Sequence, residues 1–459
     1  MLSKSSIENI INIALEAGDF AEVFCEQNAR SLITANIDKV ETSSMGVESG
    51  VGVRIFRGSN DVYVYISEQN EEKIMKLLKA TIKDIKNGNG KIRQFKPTDY
   101  KGTHAINEMH TDVSYGRKLD VVKRALNAGI EYSPKIGQMS ARYLDMCQDV
   151  LIANSEGVYA EDRRVKTRLA VTAYAHGENG VASGWQGPGA MRGFEFYDSL
   201  DIEGYARESA RIAIAMLHAE KCRGGRMPVI VANGFGGLIF HEACGHSLEA
   251  SSVANGTSEF SGKMGQVIAS PLVTLVDDGS IGGAWGSLSV DDEGTPTRKN
   301  VLIEKGVLKS YMVDRLNARR MGAELTGSGR RQSYRFAATS RMTNTYIEAG
   351  ESTEKDIIAA TERGLYVRYI NGGSVNPATG DFNFASTESY MIENGKITKP
   401  VSGATLIGNG NQVLKNVDMV ANDLAIGEGY CFARSGALFI GAGQPTIRVC
   451  EMTVGGVRC

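Results

Sequence analysis

The chain has 459 residues, which at about 150 residues per domain suggests about two to four domains with material for sizeable cores. Its 51 lysines and arginines against 53 aspartates and glutamates leave a formal net charge of -2, so no global field points to nucleic acid or to an anionic membrane. No uninterrupted apolar run is long enough to span a bilayer, and the seven cysteines contain no Cys-x-x-Cys pair, which indicates neither a disulfide framework nor a zinc ribbon.

Ser5-x-x-Glu8 reads as a capping box, and Ile7, Ile10, Ile11, Ala14 and Leu15 repeat at helical spacing until Gly18. A folded amphipathic helix of this kind is no signal peptide, so the expected compartment is the cytoplasm. Strands are expected over 20–27, 31–37, 51–56 and 62–66, the last two as a hairpin around Arg57-Gly58-Ser59-Asn60. A helix with Ile74, Leu77, Leu78, Ile82 and Ile85 on one face follows, stopped by Asn87-Gly88. Residues 1–88 thus read as an α+β domain and the polar stretch 89–111 as a linker. A second α+β domain, 112–221, opens on a helix marked by Leu119, Val122, Ala125 and Leu126, and closes on one that turns Ile212, Ala213 and Met216 inward. Between these helices strands are expected over 139–146, 158–174 and 193–197. Within the second, Asp162-Arg163-Arg164-Val165-Lys166-Thr167-Arg168 alternates like a half-solvated strand with a plain exposed face.

The remainder, 222–459, reads as one large, mainly antiparallel β domain, and its share of the 53 glycines suits tight turns. Its strands are expected over 228–232, 272–276, 300–303, 389–392 and 396–398, and its helices over 313–321 and 354–363. Turns are marked by Asp278-Gly279, Glu304-Lys305-Gly306 and Glu393-Asn394-Gly395, and Asp277-Asp278 is read as part of the first. The expected fold class is α+β, two N-terminal α+β domains followed by a β domain that carries one helix of special interest.

That helix holds Phe240-His241-Glu242-Ala243-Cys244-Gly245-His246, the closest pair among the six histidines. The nearest motif with a known mechanism is His-Glu-x-x-His, in which two imidazoles bind zinc and the Glu acts as base. Here the pair is one residue further apart. At about 100° per residue an i,i+4 pair is about 40° apart on a helix, but an i,i+5 pair is about 140° apart. Two ligands so splayed cannot share one ion on a regular helix, whereas a π-bulge realigns them. The bland reading, a buried helix with coincidental polar residues, leaves a glutamate and two histidines in a Leu-Ile-Phe setting without partners. Two histidines do not complete a zinc site. His104, His110, His176 and His218 come from other regions and are poor candidates for a third ligand. A helix turns Cys244 away from at least one of the pair, Cys431 lies on a flexible segment before a strand, and Cys450 and Cys459 lie near the end.

Taken with Ala269-Ser270-Pro271-Leu272-Val273-Thr274, Asp291-Asp292-Glu293-Gly294-Thr295-Pro296-Thr297 and Gly329-Arg330-Arg331-Gln332-Ser333-Tyr334, the histidine motif resembles the TldD/PmbA family of metallopeptidases. So do Arg341-Met342-Thr343-Asn344-Thr345, Gly403-Ala404-Thr405-Leu406-Ile407-Gly408-Asn409-Gly410 and Gly443-Gln444-Pro445-Thr446. The blocks are dense over the third domain, with a weaker match through Gly50-Val51-Gly52-Val53-Arg54. The resemblance implies Zn2+ held by His241, His246 and Cys431, with Glu242 as the catalytic residue. It further implies a peptide substrate met in a recessed site within a dimer, either a homodimer or a heterodimer with a metal-free paralogue. No nucleic acid or membrane partner is expected.

Arg330, Arg331, Arg335 and Arg341 could hold a peptide's backbone or terminal carboxylate, but pairing with Asp291, Asp292 and Glu293 is the favoured reading. Two other functions compete with the peptidase: a non-catalytic scaffolding subunit, which needs no ion, and a thiol enzyme using Cys431 or Cys244 with His241 or His246 as base.

Overall fold

The computed structural model describes residues 1–457 apart from 86, 87, 179, 377 and 378, so the expected helix stop at Asn87 and the terminal Cys459 lie outside the described residues. Its N-terminal half is organised by one sheet with strands β1 (Phe20–Asn36), β2 (Val40–Arg57), β3 (Asn60–Ile66), β4 (Lys96–Asp99), β5 (Ile136–Asn154), β6 (Val158–Gly177), β7 (Gly180–Gln186) and β8 (Gly189–Ala190). The order is β3-β2-β1-β5-β6-β4, with β7 and β8 both on β6. The stretches read as strands at 20–27 and 31–37 are one strand. Asn28-Ala29-Arg30 contains no glycine or proline, and β2 and β5 hold the ladder through it from both sides. Because β1 pairs with β5 from Glu22↔Asn154 to Asn36↔Ser140, the strands of 1–88 and those of 112–221 form a single sheet, apart from Glu220–Lys221, which joins a sheet of the C-terminal half.

The pleat sorts side chains by parity. Val23, Cys25, Val51, Val53 and Ile55 pack on the helices Lys4–Ala14 and Glu71–Ile82, while Tyr143, Leu169, Val171 and Ala173 pack under Tyr115–Ile130 and Ile202–Leu217. The first helix is capped by Ser3, whose hydroxyl accepts from the Ser6 amide at 3.1 Å, two residues before the expected Ser5 cap. Residues 193–197 form a turn into a short helix, Phe196–Ser199, instead of a strand.

The opposite face of the sheet mixes charged residues with Phe20, Phe24, Phe56, Val150 and Ile152, and it is buried against the C-terminal half. This overturns the half-solvated reading of 162–168: Asp162, Arg164, Lys166 and Arg168 are all buried. Arg164 Nη1 lies 2.6 Å from Asp292 Oδ1, and Arg54 Nη1 lies 3.0 Å from Glu293 Oε1. Asp292 and Glu293 therefore meet arginines of the N-terminal sheet rather than the expected ones, while Asp291 accepts from the amides of Glu293, Thr295 and Gly329. Arg331 pairs with Glu22, Arg335 with Glu48 at 2.5 Å and Arg341 with Glu249 at 3.4 Å. Local sequence cannot show this, since alternation reports a two-faced strand and not what covers the second face.

The C-terminal half holds a second eight-stranded sheet and a six-stranded sheet. In the latter, Val307–Leu308, Lys299–Glu304, Leu275–Asp278, Asn344–Ile347, Gly436–Gln444 and Ala425–Ala433 follow in order, which leaves Ala425–Ala433 at an edge. Asp277 lies in a strand, where the Thr343 amide and the hydroxyls of Thr343 and Thr345 donate to it, so only Asp278 contributes to the turn, accepting from the Ser280 amide at 2.8 Å. The second helix is shorter than expected, Glu354–Ala359, because a strand begins at Arg363. The lysine and asparagine of the two Gly-terminated turns adopt positive φ, 46° at Lys305 and 52° at Asn394, as the turn chemistry requires. One large core joins both sheets, and Leu238, Ile239 and Phe240 are sunk in it.

Candidate metal centre

Leu238–Phe240 is regular helix, His241–Gly245 is a π turn, and His246–Leu248 is a tighter 3-10 turn. The His246 amide donates to the His241 carbonyl, five residues back, which is the hydrogen bond that brings an i,i+5 pair into line. The rings stand edge-on with centroids 5.3 Å apart. Two close approaches hold the turn in place. A Cβ at Gly245 would lie 2.1 Å from Met342 Sδ, and one at Gly237 would lie 2.4 Å from the backbone of Gly443. Both positions need glycine for space rather than for φ.

Cys431 arrives on the edge strand Ala425–Ala433, paired with Leu438 across the hairpin to Gly436–Gln444. One donor atom from each of His241, Glu242, His246 and Cys431 falls within 4.8 Å of the others. Donors bonded to one zinc at ~2.0–2.3 Å lie at most about twice that apart. Cys431 Sγ is 3.1 Å from His246 Nε2, and Glu242 Oε2 is 3.5 Å from the same nitrogen. His241 is fully buried, and among the described residues neither of its ring nitrogens has a hydrogen-bond partner. A buried imidazole with both nitrogens orphaned is costly as it stands. A metal ion at the shared point relieves that cost, so the donor set fits such an ion. Cys244 faces elsewhere: its thiol lies 3.9 Å from the Gly410 carbonyl, and burial pushes its pKa well up.

Electrostatics follow from burial first. Burial, aided by His246, Arg341 and Arg330, holds the His241 pKa well below its ordinary range, which favours the neutral ring a metal ion would need. Burial also pushes the Glu242 carboxyl up, partly offset by His246. At His246 burial opposes the charged form, but Glu249 and Cys431 outweigh it and raise the pKa. Glu249 is the residue beside the cluster that sequence reasoning did not single out. Its Oε1 lies 3.1 Å from His246 Nδ1, and Arg341 Nε lies 3.4 Å beyond. Such a carboxylate fixes the ring orientation and tautomer of a metal-binding histidine. The signal that could have found it is His246-x-x-Glu249, spaced to meet at a helical turn. Arg341 also donates to Ser435 Oγ at 3.1 Å, and its Nη2 has no hydrogen-bond partner among the described residues.

Fold and donor set together define the class: an α+β protein with a preformed, largely buried cluster of donors that could hold a metal ion. Three family models match in succession: PmbA/TldA metallopeptidase domain 1 over residues 21–85, the central domain over 109–217 and the C-terminal domain over 224–456. A metalloprotease TldD homolog of Haemophilus influenzae is 34% identical over 474 residues, spanning 100% of this chain and 97% of the relative. A zinc metalloprotease TldD homolog of Saccharolobus solfataricus is 25% identical over 450 residues, covering 95% and 96%. The chain belongs to the PmbA/TldD family of metallopeptidases. A solved Thermotoga maritima structure, named as a candidate modulator of a DNA gyrase, shares the fold with a TM-score of 0.81 at 19% identity, covering 98% of this chain and 100% of that one. Among the described residues no helix is long and apolar enough to cross a membrane.

Proposed function

We propose that the chain is a zinc-dependent peptidase acting on unfolded or short peptides in a recessed site, with His241, His246 and Cys431 holding the ion and Glu242 as the catalytic residue. The observation that carries this reading is the convergence of these four side chains around the orphaned nitrogens of His241. Two imidazoles and a thiolate form a three-ligand set that leaves a position free, the pattern of catalytic rather than structural zinc. The name of the S. solfataricus relative supports zinc as the ion. When bound, zinc supplies Lewis acidity that polarises a scissile carbonyl and acidifies water.

The chain's own groups do the rest. Glu242 is the most open of the two residues flanking the contact, with 21% of its side chain accessible against 12% for His246, so substrate approaches from its side. Its carboxylate takes the proton of the attacking water and later returns it to the departing amine. Burial raises the basicity that this task needs. Glu249 holds His246 in one orientation meanwhile. The dimer, with a second copy or a metal-free paralogue, and a cytoplasmic location belong to the same proposal; native mass spectrometry of protein taken from its source reads the first directly.

One observation favours a second reading. The 3.1 Å contact between Cys431 Sγ and His246 Nε2 is also the geometry of a thiol activated by imidazole. It gives no task to His241 or Glu242, which is why zinc is preferred. A chelator that stops peptide turnover, restored by zinc and untouched by a thiol alkylator on the metal-loaded protein, supports the metallopeptidase. Full activity in zinc-free protein overturns it and, if alkylation then stops turnover, leaves the thiol enzyme.

A further inference from the structure

The charge-bearing face of the N-terminal sheet and the C-terminal half enclose a cavity of about 30 Å³, lined by Arg164, Lys166, Asp292, Arg330, Arg331 and Phe439 among others. Four cations therefore face one carboxylate. Two of them are compensated: Arg164 by Asp162 and Asp292, Arg331 by Glu22. Lys166 and Arg330 are each 2% exposed and form no ion pair with any carboxylate among the described residues. Lys166 Nζ donates to the carbonyls of Trp285 and Ser287, and Arg330 to those of Met342 and Phe439. The Nε atoms of Arg330 and Arg331 find no acceptor among the described residues.

The carboxylates nearby are committed. Asp292 spends one oxygen on Arg164 and the other on the Arg331 amide at 2.7 Å. Asp277 accepts from Thr343 and Thr345, and Glu26 from Gln148 and the Tyr334 amide. Burying a cation unpaired is expensive. A lysine can escape by losing its proton, and burial together with Arg330 and Arg164 does push Lys166 well down. A guanidinium has no such escape in practice, although burial lowers Arg330 to about 10.

We propose that this chamber binds one small monovalent anion, a halide or a carboxylate group, held between Lys166 and Arg330. At ~10–15 Å³ for each water the space takes about two waters or one such ion. The site also touches the metal centre indirectly, since Arg330 donates to the carbonyl of Met342, whose sulfur packs against Gly245 in the π turn.

The test uses the full chain loaded with zinc, melted in sodium bromide, formate or gluconate at matched ionic strength, together with bromide anomalous scattering from crystals. The expected result is a melting temperature that rises by several degrees and saturates with bromide and formate but not with the bulky gluconate, with an anomalous peak beside Lys166 and Arg330. Saturation by formate alone identifies the source as a carboxylate group rather than a halide. Lys166→Met should abolish the saturable rise; if that variant does not fold, the wild-type crystals and melts decide alone. Neither peak nor saturation with any of the small anions overturns the proposal, and a bromide peak with no saturable rise marks an adventitious ion only and overturns it equally.

Discussion

Glu242 lies within the donor cluster, and burial lifts its carboxyl above the ordinary 4.5. General base work requires the ionised form, so kcat/KM should rise with pH through an apparent pKa above that ordinary value. Zinc content measured at each pH separates this limb from metal loss, which protonation of the ligands also brings on. Glu242→Gln keeps the volume and removes the base. The expected outcome is an unchanged melting temperature, unchanged zinc and a fall in kcat of at least ~10², with the acid limb abolished. Near-normal turnover with zinc bound removes Glu242 from the chemistry. Cys431→Ala is expected to purify with substoichiometric zinc by atomic absorption, and full occupancy would show the ligand assignment to be wrong.

At the scale of the element, the π turn is what makes His-Glu-x-x-x-His competent. Deleting Ala243 restores the i,i+4 spacing of ordinary zinc helices, yet it should harm metal binding here. The flanking contacts at Gly237 and Gly245 fix both ends of a turn that is one residue longer. Retained zinc affinity in the deletion variant, read by competition with a chromogenic chelator, would contradict this. Gly245→Ala places a methyl 2.1 Å from Met342 Sδ. The expected loss is about 1–3 kcal/mol in chemical denaturation, the usual cost of overpacking, and Met342→Ala in the same chain should recover part of it.

Across the whole molecule, the two halves meet through buried ion pairs interleaved with small apolar clusters, Phe24, Val150 and Ile152 against Val290 and Tyr334, and Phe20 and Phe56 against Leu316. Arg54 and Glu293 are 2% and 0% exposed at 3.0 Å. Arg54→Met leaves the glutamate without its main partner, which should cost about 3–5 kcal/mol in denaturant unfolding. Replacing Glu293 by methionine as well should restore much of that loss. If the single change is neutral, the interface does not depend on the pair. A recessed site further predicts that an unfolded peptide is cleaved while a rigid, disulfide-locked protein is not, as read by mass spectrometry of the products.

Local pattern determined what local physics controls. Helical spacing placed Ile7, Ile10, Ile11 and Ala14 inward, turn chemistry placed Lys305-Gly306 and Asn394-Gly395, and the i,i+5 histidine spacing required a π turn, which the fold contains. The pairing of His241 and His246 was legible for the same reason, because both lie within two turns of one backbone. Tertiary structure alone decided the rest. The approach of Cys431 across 185 residues, the joining of β1 to β5, and the burial of Arg164 and Lys166 beneath a second layer depend on contacts far apart in the chain. Alternation records that a strand has two faces, but only the packed molecule shows whether the polar one meets water or another domain.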